Sequence, residues 1–209
     1  LPPFTSKSIR PRNLPLLPAL VTRVVPPGFF TGTATAGAAS QLVALTATSQ
    51  AATVGTAVAT LHSVRVTDAG GNPVEGRQVT FAIVSGNGQV TPTAVASNAQ
   101  GIATVTSWTL GPVAGVQQLS ATIAGAPAVL FSATATAGAA AQLSIAAGNN
   151  QRAQTTRAVT IAPSVIVRDA LGNRVAGAVV TFTVESGGGS VVGGRQVTDA
   201  TGTAEVGGW

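Results

Sequence analysis

The chain has 209 residues, enough for one large domain or two of about 100, and only 8% of them are charged although 45% are hydrophobic. It contains no cysteine, which excludes disulfides, thiolate metal sites and cysteine nucleophiles. The formal net charge of +5 arises in the first 30 residues, which hold four basic residues and no acid, while residues 31–209 carry seven Arg and six acids, a net +1. A nucleic-acid interface is therefore not expected.

The first segment, residues 1–36, begins with a proline-rich part that fits no repeat and ends in residues 29–36, which match the last strand of the repeat described below. Residues 1–28 contain seven of the twelve prolines, and Pro15 and Pro18 interrupt the apolar run that a signal peptide would need. A proline-rich linker and a wrongly framed or misjoined fragment both remain open as interpretations. We expect no packed structure over residues 1–28, and a stray terminal strand near 29–36.

The remainder of the chain repeats itself after 101 residues. Residues 37–108 match 138–209 without a gap at about thirty of 72 positions, most clearly in "VRVTDAGGNPVEGRQVTF" and "VIVRDALGNRVAGAVVTF". A unit of this length is too long for a helical solenoid or a propeller blade and is typical of a β-sandwich. We expect a complete module over 37–137 and a truncated, marginally stable one over 138–209, which lacks the positions that correspond to 109–137.

Strict alternation of apolar and polar residues predicts strands within this unit. Val79, Phe81 and Ile83, for example, alternate with Thr80 and Ala82, as in a sheet that is packed on one side only. Strands are predicted near 41–47, 57–67, 77–84, 89–97, 101–108, 115–124 and 127–136. The predicted fold class is all-β, with sandwich modules in tandem.

One turn occurs twice, between Asp68 and Asn72 and again between Asp169 and Asn173. Gly71 can adopt a positive φ at little steric cost, and an Asp or Asn side chain can bond the nearby backbone. The turn is therefore predicted to fix the register of the strands on either side. The pair also has a faint likeness to a calcium loop, but such a loop needs several carboxylates, so a structural turn is the favoured interpretation.

Candidate catalytic and metal-binding residues are sparse. His62 is the only histidine, and Pro163 replaces it in the second copy, so a plain strand or loop position is favoured over a general base. The acidic residues are scattered along the chain, at Asp68, Glu75, Asp169, Glu185, Asp199 and Glu205. "SGNG" and "SGGGS" lack a following Lys and predict hairpin connections, not a phosphate cradle. We expect no catalytic, cofactor or metal site and no enzymatic activity.

The two tryptophans follow strands of alternating apolar residues. Trp108 and Trp209 each end a Gly-x-Ala-x-Val strand, so core or inter-sheet packing is favoured over stacking on a sugar ring. Together with the repeated D-x-x-G-N-x-V-x-G-x-x-V-T-F string and the "LSATIAG…VLFSATA" tail, these strands make residues 37–209 resemble the group-one bacterial immunoglobulin-like repeats of invasin and intimin stalks. Unlike antibody domains, the chain has no Cys pair and no Tyr.

The resemblance implies an immunoglobulin-like sandwich on the bacterial cell surface, anchored in the outer membrane through a region outside this segment. The favoured function is a non-catalytic stalk or spacer module whose partners are neighbouring modules of the same chain. A module that binds a host receptor or a polysaccharide would need apolar or aromatic loop tips, where this sequence has Gly, Asn, Ser and Ala. An accessory domain of a secreted enzyme is the third interpretation. No helical membrane span is expected.

Overall fold

The computed structural model of the chain describes residues 34–209, and within them every regular element is a β-strand. We call residues 37–137 the first repeat and residues 138–209 the second repeat. The strands of the first repeat are β1 (Gln41–Ala44), β2 (Ser49–Thr53), β3 (Ser63–Thr67), β4 (Gln78–Ser85), β5 (Gln89–Thr91), β6 (Ala94–Ala96), β7 (Ile102–Thr104), β8 (Ser107–Thr109), β9 (Gly115–Thr122) and β10 (Val129–Thr136). Those of the second repeat are β11 (Ala140–Ala147), β12 (Ser164–Asp169), β13 (Val179–Thr181), β14 (Arg195–Val197) and β15 (Thr203–Glu205).

The expectations for residues 1–28, and for the part of 29–36 up to residue 33, lie outside the described residues. Residues 34–36 are described and are not in a strand. No helix long and apolar enough to span a membrane was found in the portion of the chain that the structure describes.

Two sheets face each other in the first repeat. One has the order β1-β3-β7 and the other β2-β10-β9-β4-β6, while β5 and β8 form a short ribbon beside them. All neighbouring strands are antiparallel except β2, which runs parallel to β10. With β1, β3 and β7 as strands A, B and E, and β4, β9 and β10 as C, F and G, this is the strand arrangement of an immunoglobulin-like sandwich. The prediction of an all-β fold is confirmed.

Apolar side chains from both sheets fill the space between them. Val64 and Val66 come from one sheet and Phe81, Leu119 and Phe131 from the other, and none is more than 1% exposed. Burying a Val, Leu or Phe side chain contributes about 1.5–3 kcal/mol. The burial of one or two such side chains therefore stabilises the repeat as much as an inter-sheet disulfide would, which is about 2–4 kcal/mol.

The long strands agree with the predicted alternation. β4, β9 and β10 lie close to the segments predicted near 77–84, 115–124 and 127–136. The strand β2 was not predicted, because its sequence SQAAT has no large apolar residue to mark an inner face.

Several predicted boundaries are wrong. The segment near 89–97 is two strands, because Pro92 between them has no N–H to donate to a ladder. The strand predicted over 57–67 begins only at Ser63, and the strand predicted over 101–108 is interrupted before Ser107. The "SGNG" turn leads from β4 to β5, which pair with different strands, so it is not the hairpin connection that was expected.

The second repeat contains the counterparts of β1, β3 and β7 as the sheet β11-β12-β15, and a separate β13-β14 pair. Its core cluster consists of Val165, Val167, Val180 and Ala204. Trp209 is 47% exposed, whereas Trp108 is fully buried, so core packing was predicted correctly for the first tryptophan and wrongly for the second. Among the described residues of the second repeat, no strands pair as β9 and β10 do in the first repeat.

Candidate functional site: the junction between the two repeats

The repeated turn of the first repeat is built around the carboxylate of Asp68. Its Oδ1 accepts the backbone N–H groups of Gly70 and Asn72, both at 2.9 Å, which closes the turn. Gly71 has a φ of 83°, the left-handed conformation that the sequence predicted for it. The other carboxylate oxygen, Oδ2, accepts the N–H of Gly37 at 2.8 Å and so holds the segment that leads into β1.

The second repeat reproduces this geometry. Asp169 Oδ1 accepts the N–H groups of Leu171 at 2.9 Å and Asn173 at 2.8 Å, and Gly172 has a φ of 86°. Asp169 Oδ2 accepts the N–H of Gly138 at 2.9 Å. The turn prediction is confirmed in both copies. Each aspartate also bonds the segment that leads into the first strand of its own repeat.

These hydrogen bonds keep both aspartates ionised at neutral pH. The N–H of Gly37, followed by the side chain and backbone of Asn72, lowers the pKa of Asp68 from 3.8 to about 2. Burial raises the pKa of Asp169, but the hydrogen bonds from Asn173, Gly138 and Leu171 outweigh it, and the pKa is lowered overall. Each carboxylate therefore only accepts hydrogen bonds, and these are of the stronger, charge-assisted kind.

Asn173 connects the second repeat to the first. Its Nδ2 donates to the carbonyl of Pro112 and to Asp169 Oδ2, both at 2.9 Å. Its Oδ1 accepts the N–H of Ala114 at 2.8 Å. An Asn side chain offers two N–H donors and one carbonyl acceptor, and here every one of these groups is bonded.

The side chain of Leu171 lies beside this polar contact. The side chain of Leu171 approaches Gly55, where a Cβ atom would come within 3.9 Å of Leu171 Cδ1. Residues of two loops of the first repeat thus contact one turn of the second.

The loop that receives Asn173 is held from beneath by a buried glutamine. Gln117 is 1% exposed, its Oε1 accepts the N–H of Gly111 at 2.7 Å, and its Nε2 donates to the carbonyl of Val113 at 3.0 Å. A Cβ atom at Gly111 would collide with the carbonyl of Gly86, so the loop lies close against its neighbour. Hydrogen bonds therefore run without a break from Gln117, through this loop, to Asn173 and Asp169.

Sequence reasoning missed both side chains that build this junction. The sequence did contain a sign of Gln117, because it occupies an inward-facing position of β9, in phase with Leu119 and Ala121. A lone polar residue in an apolar series needs hydrogen-bond partners inside the fold. For Asn173 the repeated turn was recognised, but its contact with residues about 60 positions earlier follows only from the way the repeats meet.

His62 lies in the core of the first repeat, just before β3 and not within a strand. Its ring centroid is 4.2 Å from that of Phe131 and 5.3 Å from that of Trp108. Its ring nitrogens face Gln50 at 2.8 Å and Thr46 at 3.4 Å, and neither residue can act as a charged partner. Burial lowers its pKa. The arrangement is that of a structural, neutral histidine.

The carboxylates are not brought together. Asp199 closes a turn of its own by accepting the N–H groups of Thr201 and Thr203. Within residues 34–209, no three His, Asp or Glu residues are grouped so that they could hold a metal ion. At both repeated turns the aspartate oxygens face N–H donors, which is the opposite of what a calcium ion requires.

No family model matches the chain, and no curated protein matches it. Similar solved structures include the D0-D1 domain of intimin, at 24% identity and a TM-score of 0.34 over 80% of this chain and 83% of that chain. The Escherichia coli adhesin FdeC is 18% identical with a TM-score of 0.48, over 81% of this chain and 56% of that chain. Invasin, described as a bacterial integrin-binding protein, is 22% identical with a TM-score of 0.38, over 79% of this chain and 32% of that chain. The intimin and invasin neighbours are bacterial immunoglobulin-like domains of the invasin and intimin type.

Proposed function

We propose that the chain is a non-catalytic spacer segment of a bacterial cell-surface or secreted adhesin. In this role its repeats hold a distal binding domain away from the cell envelope, and an outer-membrane anchor lies in a region outside this segment. The observation that carries the proposal is the Asn173 junction, in which one side chain bonds the loop of the first repeat and the turn of the second. A spacer must keep neighbouring repeats in a fixed relative orientation, and such a junction restrains their relative rotation.

The short peptide that joins the two repeats also supports the spacer function. Only residues 137–139 separate β10 from β11, and the middle one, Gly138, is bonded to Asp169. On the other side, the N–H of Val54 donates to the carbonyl of Thr136 at 2.9 Å. A free linker of small residues would behave as a flexible coil. Here both ends of the connection are bonded to a repeat.

The chemistry of the polar side chains favours a structural role. The junction carboxylate accepts hydrogen bonds from the protein itself, and His62 is buried between aromatic rings. General acid–base catalysis needs a titratable group that reaches a substrate. Neither Asp169 nor His62 meets that requirement.

A distance measurement between the repeats tests the proposal. Because the chain has no cysteine, Ala82→Cys and Thr181→Cys, both at exposed positions, place one spin label on each repeat. We expect a single narrow distance distribution by double electron–electron resonance, and a broader one after Asn173→Ala. The matched control is Asn72→Ala, at the equivalent position of the first repeat, which should leave the distribution unchanged. A broad distribution in the otherwise unaltered chain would contradict a spacer role.

A further inference from the structure

The turn of the first repeat has nearly the same hydrogen bonds as the turn that forms the junction, with one additional bond from Asn72 Nδ2 to Asp68 Oδ1 at 3.2 Å. The clamp from the preceding glycine measures 2.8 Å at Gly37 and 2.9 Å at Gly138. Asn72 Nδ2 lies 3.1 Å from Asp68 Oδ2, and Asn173 Nδ2 lies 2.9 Å from Asp169 Oδ2. The first turn is thus already shaped like one that is engaged with a neighbouring repeat.

The surroundings of the two turns differ. Gly71 and Asn72 are exposed, whereas Gly172 and Asn173 are partly covered. Among the described residues, the side chain of Asn72 bonds only to Asp68. One N–H of Asn72 and its Oδ1 therefore correspond to the groups with which Asn173 grips the loop of the first repeat.

The connecting sequence is also duplicated. Residues 33–39 read TATAGAA, and residues 134–140, which lead into the observed junction, read the same. A repeat joined directly before Gly37 would therefore enter the first repeat through the same peptide that carries the first repeat into the second.

We propose that the Asp68–Asn72 turn is a docking site for another copy of this repeat joined directly before Gly37. Asn72 accepts the N–H at the position of Ala114 in that copy and donates to the carbonyl at the position of Pro112. The partner is thus a β-sandwich whose corresponding loop is held rigid by an inward-facing glutamine. The proposal rests on the proposed spacer function, because the site serves a longer tandem array.

One sequence difference between the two turns affects how strongly the proposed docking site would bind its partner. Leu171, whose side chain lies near Gly55 across the observed junction, corresponds to Gly70 in the first repeat. The proposed site therefore has no apolar contact at this position, and Asn72 carries a larger share of the interaction than Asn173 does.

Duplicating residues 37–137 in place within the full chain tests the proposal. The new junction then reads TATAGAAS where the natural one reads TATAGAAA, so the only change is Ser40 in place of Ala141. Hydrogen exchange at the Ala114 amide of the leading copy is measured by NMR after segmental isotope labelling. We expect exchange to slow by about tenfold relative to the same amide in a chain that carries Asn72→Ala in the following copy.

The Ala114 amide that faces Asn173 is the internal reference, and Asn173→Ala should accelerate its exchange without affecting the leading copy. Unchanged Trp108 fluorescence shows that the Asn72 variant is folded. If the leading Ala114 is unprotected while the reference is protected, the docking site is refuted and the spacer function still stands. If neither amide is protected, the natural junction does not persist in solution, and both proposals are overturned.

Discussion

The side chain of Asp68 stabilises both a local turn and a contact with a residue distant in sequence. Its Oδ1 forms the turn between neighbouring strands, and its Oδ2 holds Gly37, which lies 31 positions earlier. The sequence predicted the first role, because Asp, Gly and Asn at this spacing have known turn preferences. It did not predict the second, because the partner is a backbone N–H with no side chain to mark it.

The ionised form of Asp68 should make the stability of the first repeat depend on pH. Its pKa is about 2 in the folded protein against 3.8 ordinarily, so between these values the unfolded chain binds more protons. The stabilisation is fully present above pH 4 and is lost as the pH falls toward 2. Urea unfolding followed by Trp108 fluorescence, in a Trp209→Phe background, measures this loss. Asp68→Asn should flatten the profile in that window, and an equally steep profile would show that Asp68 is not the titrating group.

His62 should act in a different pH window. Gln50 Oε1 accepts the N–H of Thr60 and its Nε2 donates to the carbonyl of Thr60, both at 3.0 Å, so the amide N–H of Gln50 faces His62 Nε2. That nitrogen must remain unprotonated, which agrees with the pKa lowered by burial.

Because the folded pKa of His62 is below 6.5, stability should be complete above that pH and should decline as the pH falls through it. Urea unfolding between pH 7 and 5 measures the decline. His62→Leu should abolish it in this window while leaving the more acidic transition of Asp68 intact. A decline that survives the substitution would assign the titration to another group.

At the scale of elements, strands with strong contrast between their faces were predictable and weakly patterned ones were not. β4 alternates Val79 and Phe81 with Thr80 and Ala82, and its position follows from that pattern alone. β2 contains only Ser, Gln, Ala and Thr, and it pairs in parallel with β10, about 80 residues later. Its place in the sheet depends on tertiary contacts that no local window contains.

Gln117 lies in β9 and bonds the loop that Asn173 contacts. Its removal should therefore affect both the stability of the first repeat and the contact between the repeats. In Gln117→Ala, the N–H of Gly111 and the carbonyl of Val113 lose their partner, and we expect destabilisation of about 2–4 kcal/mol in urea unfolding. The loop should also loosen, and exchange at the Ala114 amide should accelerate.

The neighbouring Gln118 is a matched control, because its side chain points to the opposite face of the same strand. Gln118→Ala should change the free energy of unfolding by less than about 0.5 kcal/mol. Equal effects of the two substitutions would show that the bonds of Gln117 to the loop do not matter for stability.

At the scale of the whole molecule, the two repeats differ in how completely their inner faces are covered. Leu42 is 8% exposed, and its counterpart Leu143 is 62% exposed. A cavity of about 250 Å³ lies open in the second repeat, lined by Ile145, Phe182, Val206 and Trp209 among others. Because the burial of apolar side chains is the main stabilising contribution, the second repeat should have much the lower free energy of unfolding.

Limited proteolysis with a protease of broad specificity should therefore cleave the second repeat well before the first. Cleavage requires local opening, and opening costs least where the buried core is smallest. Within residues 37–209, mass spectrometry of early fragments should locate the first cuts after residue 138 and recover a fragment that ends near 137. Equal resistance of the two repeats would contradict the prediction that the second repeat is the less stable one.

The stability of the second repeat should rise when its exposed apolar face is covered by added strands. Residues 109–137 follow Trp108 directly, so appending a second copy of them after Trp209 supplies the counterparts of β9 and β10 in register. The added strands should bury Trp209, shift its fluorescence to shorter wavelength in a Trp108→Phe background, and bring the protease resistance of the second repeat up to that of the first. An appended segment of the same composition in scrambled order is the control, because it cannot place apolar residues on alternate positions. Equal shifts with both segments would mean that any added chain covers Trp209, and that the exposed face is not an unfinished sandwich.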